Sequence, residues 1–242
     1  MGDLGDALES VDRRRKRLEV YSDDRETAEE VKQQFSTHNV DVDIRDRPVL
    51  GDPGFVIVWS EGGTFQGGLG LDHFEAMLSP EIHPPWELAA SDVGTSELFD
   101  FLENTVFSSY DRRQMLYAAR EIEERAWRTG RGSLFVGFQR EKAFSAESDV
   151  YERLATRGDL SVTAFVRDEW SGGLDDVRVV SESDGEIGSF WFVIFDGGGN
   201  ELQACALLAE EREPDRYYGF WTYEPATVES LVDYLESTYL EG

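Results

Sequence analysis

The side chains that most often do chemistry are sparse in this sequence. Histidine occurs only as His38, His73 and His83, and no two stand at a spacing that would let them share a metal ion. Cys205 is the single cysteine, so neither a thiolate pair nor an intrachain disulfide can form. It lies inside QACALLA, an apolar run that reads as a strand, where a small buried side chain is the simpler role. Adjacent carboxylates such as Glu123 and Glu124 have the chemistry for acid–base catalysis. In a chain with 50 acidic residues, such pairs carry no information. No G-x-S-x-G elbow or nucleophile–base constellation stands out. GGLG at 67–70 lacks the lysine and hydroxyl of a phosphate loop and the third glycine of a dinucleotide turn. Its glycines read as relief of crowding in a strand. DGGGN at 196–200 falls between two strand-like runs and reads as a hairpin turn. No catalytic residue, metal ligand or cofactor is assigned, and an enzyme is not expected.

Aromatic side chains are what remain. Trp59, Trp191 and Trp221 sit in or beside strand-like runs, and Trp86, Trp127 and Trp170 in connectors or at helix ends. Rings of this size can wall a planar or apolar ligand, with a few polar groups to orient it. They can equally build a core.

The elements that must position these rings follow from periodicity. A helix is expected over residues 3–17, with Leu4, Leu8 and Val11 on one face and the basic run 13–17 at its cation-favouring end. Strands follow at 18–21 and 40–44, with a helix to about Phe35 between them that opens on Asp23 and Glu26 as a capping box. FVIVW at 55–59 and FQGGLGL at 65–71 read as a hairpin, and 72–79 as a helix. Residues 80–94, with three prolines, read as a linker pinned by Trp86. Helices at 95–107, 111–129 and 145–156 alternate with strands at 133–138 and 160–166. The stretch 168–187 reads as a loop with a short strand at 177–180. A hairpin at 189–211, a strand at 217–223 and a helix opening at Pro225 complete the order. This is an α/β (α+β) fold with mixed β-sheets and flanking helices. The two halves share the order strand, helix, strand, hairpin, helix, so an internal duplication is expected. Different strand orders in the two halves would rule it out.

Composition bounds the rest. The 242 residues are 40% hydrophobic and 12% aromatic, enough for a sizeable core. The formal net charge is −27, and lysine occurs only at positions 16, 32 and 142. Self-repulsion at this charge opposes compaction in dilute buffer. At molar salt, where the screening length is about 3 Å, it is largely removed. The acidic, lysine-poor surface therefore reads as halophilic adaptation, and it argues against direct nucleic-acid binding. With no signal peptide and no span-length apolar run, a soluble, cytoplasmic protein is expected.

Residues 115–139 concentrate the remaining signal. Met115, Ala119, Ile122 and Ala126 form one core stripe, and Trp127 lies one position from it. Arg120–Glu124, Glu121–Arg125 and Glu124–Arg128 are spaced as helical ion pairs, each contributing about 0.2–0.5 kcal/mol. Gly130 is placed for a left-handed cap. The pattern R-x-M-x-x-A-A-R-E-I-E-x-x-A-x-R-x-G-x-G-x-L-x-x-G-F-Q, running from Arg113 to Gln139, resembles the signature of the DICT sensory domain family. Tyr151-Glu152-Arg153-Leu154 resembles that family's next helix. CALLAEER at 205–212, YYGFWTY at 217–223 and the segment at 231–235 resemble its stand-alone haloarchaeal members.

The resemblance covers about 95–240 and implies a sensory or regulatory module, with a role in light responses among those attributed to the family. It divides the chain into an N-terminal α/β half (1–80), a linker (81–94) and a DICT-like sensory half (95–242), packed as one compact unit. The expected function is a non-enzymatic regulator that responds to a small ligand or light and acts through a signalling protein partner. Arg120, Trp127, Phe138, Gln139, Trp221 and Tyr223 are the ligand-binding candidates. Arg120 would meet an anionic group, the rings would stack, and Gln139 would hydrogen-bond. The alternative is an interaction protein without a ligand, a homodimer or hetero-complex using an exposed aromatic patch around YYGFWTY. A cryptic enzyme would need converging carboxylates in a deep pocket.

Overall fold

The computed structural model describes residues 2–12, 16–35, 40–45, 54–60, 62–71, 82–88, 106–110, 112–183 and 185–240. The expected helix at 72–79 and most of the one at 95–107 lie outside them, as do His38 and His73.

Alternating apolar residues make β1 (Lys16–Tyr21), β2 (Val40–Arg45), β3 (Phe55–Ser60) and β4 (Phe65–Gly70), with α2 (Arg25–Phe35) crossing from β1 to β2. The sheet order is β2-β1-β3-β4, with β1 parallel to β2 and antiparallel to β3, and β3 antiparallel to β4. Leu18, Val20, Val56, Val58 and Leu69 point inward, where Ala28, Val31 and Phe35 of α2 join the same cluster. Two expectations are corrected here. The first helix, α1, is Leu4–Asp12, and Lys16 and Arg17 belong to β1, because the Leu18–Val20 alternation extends the strand back over them. Asp24 rather than Asp23 caps α2, its Oδ1 accepting from Glu26 N at 2.9 Å. Those bonds hold the Asp24 carboxyl below its usual range, the Thr27 hydroxyl contributing most.

The larger sheet has the order β5-β11-β10-β9-β6-β7-β8. Its strands are β5 (Val106–Tyr110), β6 (Arg131–Phe138), β7 (Asp159–Val166), β8 (Val177–Ser181), β9 (Phe190–Phe195), β10 (Cys205–Glu213) and β11 (Arg216–Thr222). A strand thus occupies 106–110, where the helix expected at 95–107 would have ended. The expected helix at 145–156 is two, α5 (Glu141–Ser145) and α6 (Ser148–Ala155). The helices α3 (Pro85–Leu88), α4 (Arg112–Thr129) and α7 (Pro225–Leu235) complete the set.

Within the larger sheet, β6 is parallel to β7 and antiparallel to β9, and β9 is antiparallel to β10. The run β7-β6-β9-β10 therefore repeats β2-β1-β3-β4 in order and direction. The second sheet adds β8 outside β7, and β11 and β5 outside β10. Both of its faces are buried, which is why FWFVIF is apolar throughout rather than alternating. Trp191, Val193 and Phe195 face α4 and α6, in a cluster that also takes in the first sheet's inner face. Phe190, Phe192 and Ile194 face α1 and α7. Near this second layer Glu186 accepts from the Leu4 amide at 2.9 Å, from the Tyr239 hydroxyl at 3.3 Å and from the Tyr234 hydroxyl.

YYGFWTY is an interior strand. Tyr217, Phe220 and Trp221 are buried between β10 and β5, so the exposed patch expected there does not exist. Its apolar alternation serves the two cores.

Candidate functional site

Helix α4 is made of strong helix formers and ends where Gly130 adopts φ +66°, its N–H returning to Ala126 O at 2.8 Å. Two residues on, Gly132 lets β6 start against the 196–200 turn, since a Cβ there would lie 2.5 Å from Gly198 Cα. The expected stripe Met115, Ala119, Ile122 and Ala126 is buried, but so are Arg120, Glu121, Glu123, Glu124 and Arg125. The charges are not a solvated ladder. Helix α3 packs on α4, and Glu147 just before α6, Tyr151 within it and Tyr223 after β11 meet its charged side chains.

At the centre is Glu123, 0% exposed. It accepts from the Tyr151 hydroxyl at 2.7 Å and pairs with Arg120, whose other terminal nitrogen holds Glu147. Arg120 thus pairs with Glu123 and Glu147, not Glu124 as spacing suggested. Glu124 instead takes Arg128 at 3.0 Å, and Glu121 takes Arg125 at 3.1 Å. Burial pushes the Glu123 carboxyl above its usual range, against the opposing pull of Arg120 and Tyr151. Burial likewise raises the Tyr151 hydroxyl, and the adjoining Glu123 adds to it. Burial works against the charge on Arg120, but Glu123, Tyr151 and Glu147 outweigh it and raise its pKa.

An aromatic wall adjoins this network. Phe138 lies 5.2 Å from Phe144, 5.7 Å from Tyr151 and 6.5 Å from Trp191 between ring centroids. Trp170 meets Phe144 edge-on at 4.7 Å, and Tyr217 meets Trp191 at 5.4 Å. Three donors here, Arg120 Nε, Trp170 Nε1 and Trp191 Nε1, are buried without a hydrogen-bond acceptor among the described residues. Buried donors are normally satisfied, so these three atoms mark where an acceptor is missing beside the rings.

The six candidate residues fall in three places. Arg120 and Phe138 join the network and the wall through Tyr151. Gln139 is beside them, but its amide donates to Ser189 O at 3.2 Å. Trp127 lies elsewhere, against Trp86 at 5.8 Å and beneath Arg157 at 5.0 Å. Arg153 caps Trp86 at 3.8 Å. Trp221 is buried on β11, and Tyr223 lies under Arg125 at 4.2 Å. Glu123, Glu147, Tyr151, Trp170 and Trp191 were not among the sequence candidates. The 28-residue separation between Glu123 and Tyr151 leaves no local signal for their pairing. Among the described residues no three His, Cys, Asp or Glu side chains gather as a metal site, and no helix is long and apolar enough to cross a membrane.

Residues 96–212 match the model of the DICT family, a sensory domain in diguanylate cyclases and two-component systems. No curated protein matches the chain. Among solved structures, a polyphosphate kinase from Porphyromonas gingivalis is similar at 13% identity and a TM-score of 0.38, over 96% of this chain and 47% of that one. The chain thus spans about half the length of that protein, and a likeness so distant carries no argument about fold or activity.

Proposed function

We propose that this chain is a non-enzymatic sensory and regulatory protein whose signal is received where α4, α6 and β6 meet, and whose output is contact with a signalling protein. The sensory-family match over 96–212 supports the class. The observation that carries the site is the Glu123–Arg120–Glu147–Tyr151 network beside the rings, with three buried donors unpaired among the described residues. A molecule bearing acceptor oxygens on a planar frame would engage those donors and stack on Phe138 or Trp191. Binding shifts a sensor only when its two states bind unequally. Here the change would pass along α4 to the Gly130–Gly132 joint. The net charge of −27 supports a salt-rich cytoplasmic setting and the haloarchaeal type. The halves at 1–80 and 95–242, joined through 81–94, are read as one compact unit, and α1 lying on the second sheet supports that.

The test is the absorbance spectrum and mass of whatever co-purifies with the native protein. Thermal shift against common chromophores and aromatic acids in molar salt would follow. A ligand whose stabilisation is lost in Trp191→Phe supports the reading. No ligand in either assay, with Gln139→Ala as stable as wild type, removes it. The interaction-protein alternative then stands, with Phe55 and Phe65 of the first sheet as its exposed rings.

A further inference from the structure

The two ends of the aromatic wall carry different charge. Towards α6, Arg120 pairs with both Glu123 and Glu147, so one guanidinium serves two carboxylates. That end is negative, and with Glu123 fully buried little water weakens its field. An anionic group brought to Arg120 would meet the two carboxylates that already hold it.

The Trp191 end offers donors instead. Trp191 is buried, and its Nε1 has no acceptor among the described residues. Arg112, the first residue of α4 and half-buried, lies over the Trp191 ring at 5.7 Å, and Tyr217 meets the same ring edge-on at 5.4 Å. Acidic residues outnumber basic ones 50 to 23. Even so, among the described residues no carboxylate stands within ion-pair distance of Arg112, and the Tyr217 hydroxyl makes no hydrogen bond. Burial and then Glu211 raise that hydroxyl to about 12, so it remains a donor at neutral pH. Four charged groups act on it, Glu211 and Asp215 against Arg112 and Arg140. Glu211 is engaged by Arg140 at 3.6 Å and by the Asp215 amide at 2.9 Å, and Asp215 itself is exposed on the β10–β11 turn. Arg112, held on an indole face, is the cation at this end without a carboxylate among the described residues.

We infer that the ligand received at this wall carries a single carboxylate, held by Arg112 and the Tyr217 hydroxyl beside Trp191, with its planar frame lying towards Phe138. The inference rests on the wall being a ligand site and adds the ligand's charge and orientation. A guanidinium resting on a ring face keeps its N–H edge free, and that edge matches the two oxygens of a carboxylate. The indole shields one side of the pair from water, which strengthens it. Orientation follows from the two ends: the negative Glu123–Arg120–Glu147 end turns the carboxylate away, and Arg112 takes it. The count of one follows from the surroundings. The four charges around Tyr217 cancel, so Arg112 draws a first negative charge and a second would face Glu211 and Asp215 with no cation to offset it. The net charge of −27 opposes a dianion in the same sense. A carboxylic acid therefore fits this end better than a phosphate ester.

The test is calorimetric titration of the full chain in molar salt with three probes that share one frame: 2-naphthoate, 2-naphthamide and 2-naphthyl phosphate. The inference expects the carboxylate to bind about tenfold or more tighter than either of the others. Arg112→Gln should remove that preference, weakening naphthoate about tenfold and leaving the amide unchanged. Arg112→Lys keeps the charge but not the fork and should fall between, and Tyr217→Phe should weaken naphthoate about threefold. Melting temperatures close to that of the wild type would show each variant folded, and the lysine variant keeps the test open if the glutamine one is not. Equal binding of amide and carboxylate, both lost in Trp191→Phe, overturns the inference and leaves the ligand site standing. Tighter binding of the phosphate overturns it too, as does naphthoate binding that is the same in the Arg112 variants. Binding of none of the three also overturns it, and the site itself is then judged by what co-purifies with the native protein.

Discussion

The Tyr151 hydroxyl donates to Glu123 Oε1 at 2.7 Å across the α4–α6 contact, binding a carboxylate with no solvent exposure to a helix 28 residues away. Removing that donor should be felt. Tyr151→Phe keeps the ring contacts with Phe138 and Phe144 but leaves Glu123 short of a partner. A loss of about 1–3 kcal/mol follows from the unmet hydrogen bond to a charged group. Guanidinium unfolding in molar salt measures it; a loss below about 0.5 kcal/mol would mean that water reaches Glu123.

Alkaline pH should weaken the fold in a definite window. Tyr217 is raised to about 12 by burial and then by Glu211, and Tyr234 to about 12 by burial and then by its bond to Glu186. Tyrosines raised in the fold ionise first in the unfolded chain. Their contribution is therefore intact below about pH 10 and is lost as pH rises towards about 12. Stability measured from pH 9 to 12 should fall with pH, and the 295 nm phenolate signal should lag a denatured control. Coincident titrations would contradict this.

Cys205 is buried on β10, and burial pushes its thiol well above the usual range. The reactive form is the thiolate, so the native protein should react with a thiol reagent at least a hundredfold more slowly than the denatured chain. Rapid native labelling would show that β10 opens.

The two joint glycines should differ. Gly130 has a positive φ, but a Cβ there would make only ordinary contacts, 3.6 Å from the Arg157 side chain, so Gly130→Ala should cost about 1–2 kcal/mol. At Gly132 a Cβ also meets Gly198 backbone, and Gly132→Ala should cost more. Melting curves of the two variants give the order directly, and a reversed order would contradict the close approach of β6 to the 196–200 turn.

Trp86→Ala removes a ring packed on Trp127 and capped by Arg153. Contacts of this kind are worth about 0.5–1.5 kcal/mol each. The expected result is faster proteolysis near 82–88 with little change in the global melting temperature. Unchanged cleavage would show that Trp86 does not hold that segment.

Periodicity made the α4 core stripe, the β9–β10 hairpin and the strand–helix–strand order legible, because each is a property of neighbouring residues. The environment of the α4 charges is not, since it comes from Glu147 and Tyr151 at α6 and from Tyr223 after β11. Arg120 and Glu124 are correctly spaced for each other, yet Glu147 and Tyr151 draw Arg120 and Glu123 into a different arrangement. YYGFWTY looked like a surface patch because a strand buried on both faces has no polar side to reveal its place. Residue type and motif membership single out the six site candidates, and neither property specifies that Trp127 and Trp221 should sit apart from Phe138.

Glu186 holds the Leu4 amide and the hydroxyls of Tyr234 and Tyr239, and three residues later Ser189 O receives the Gln139 side chain. In mechanical terms this short turn is a shared anchor for segments near both ends of the described chain, one step from the end of β6. Tension applied before Leu4 or beyond Leu240 would converge there, so a tether or fused domain at either end would load the same turn and reach Gln139 without crossing the sheet.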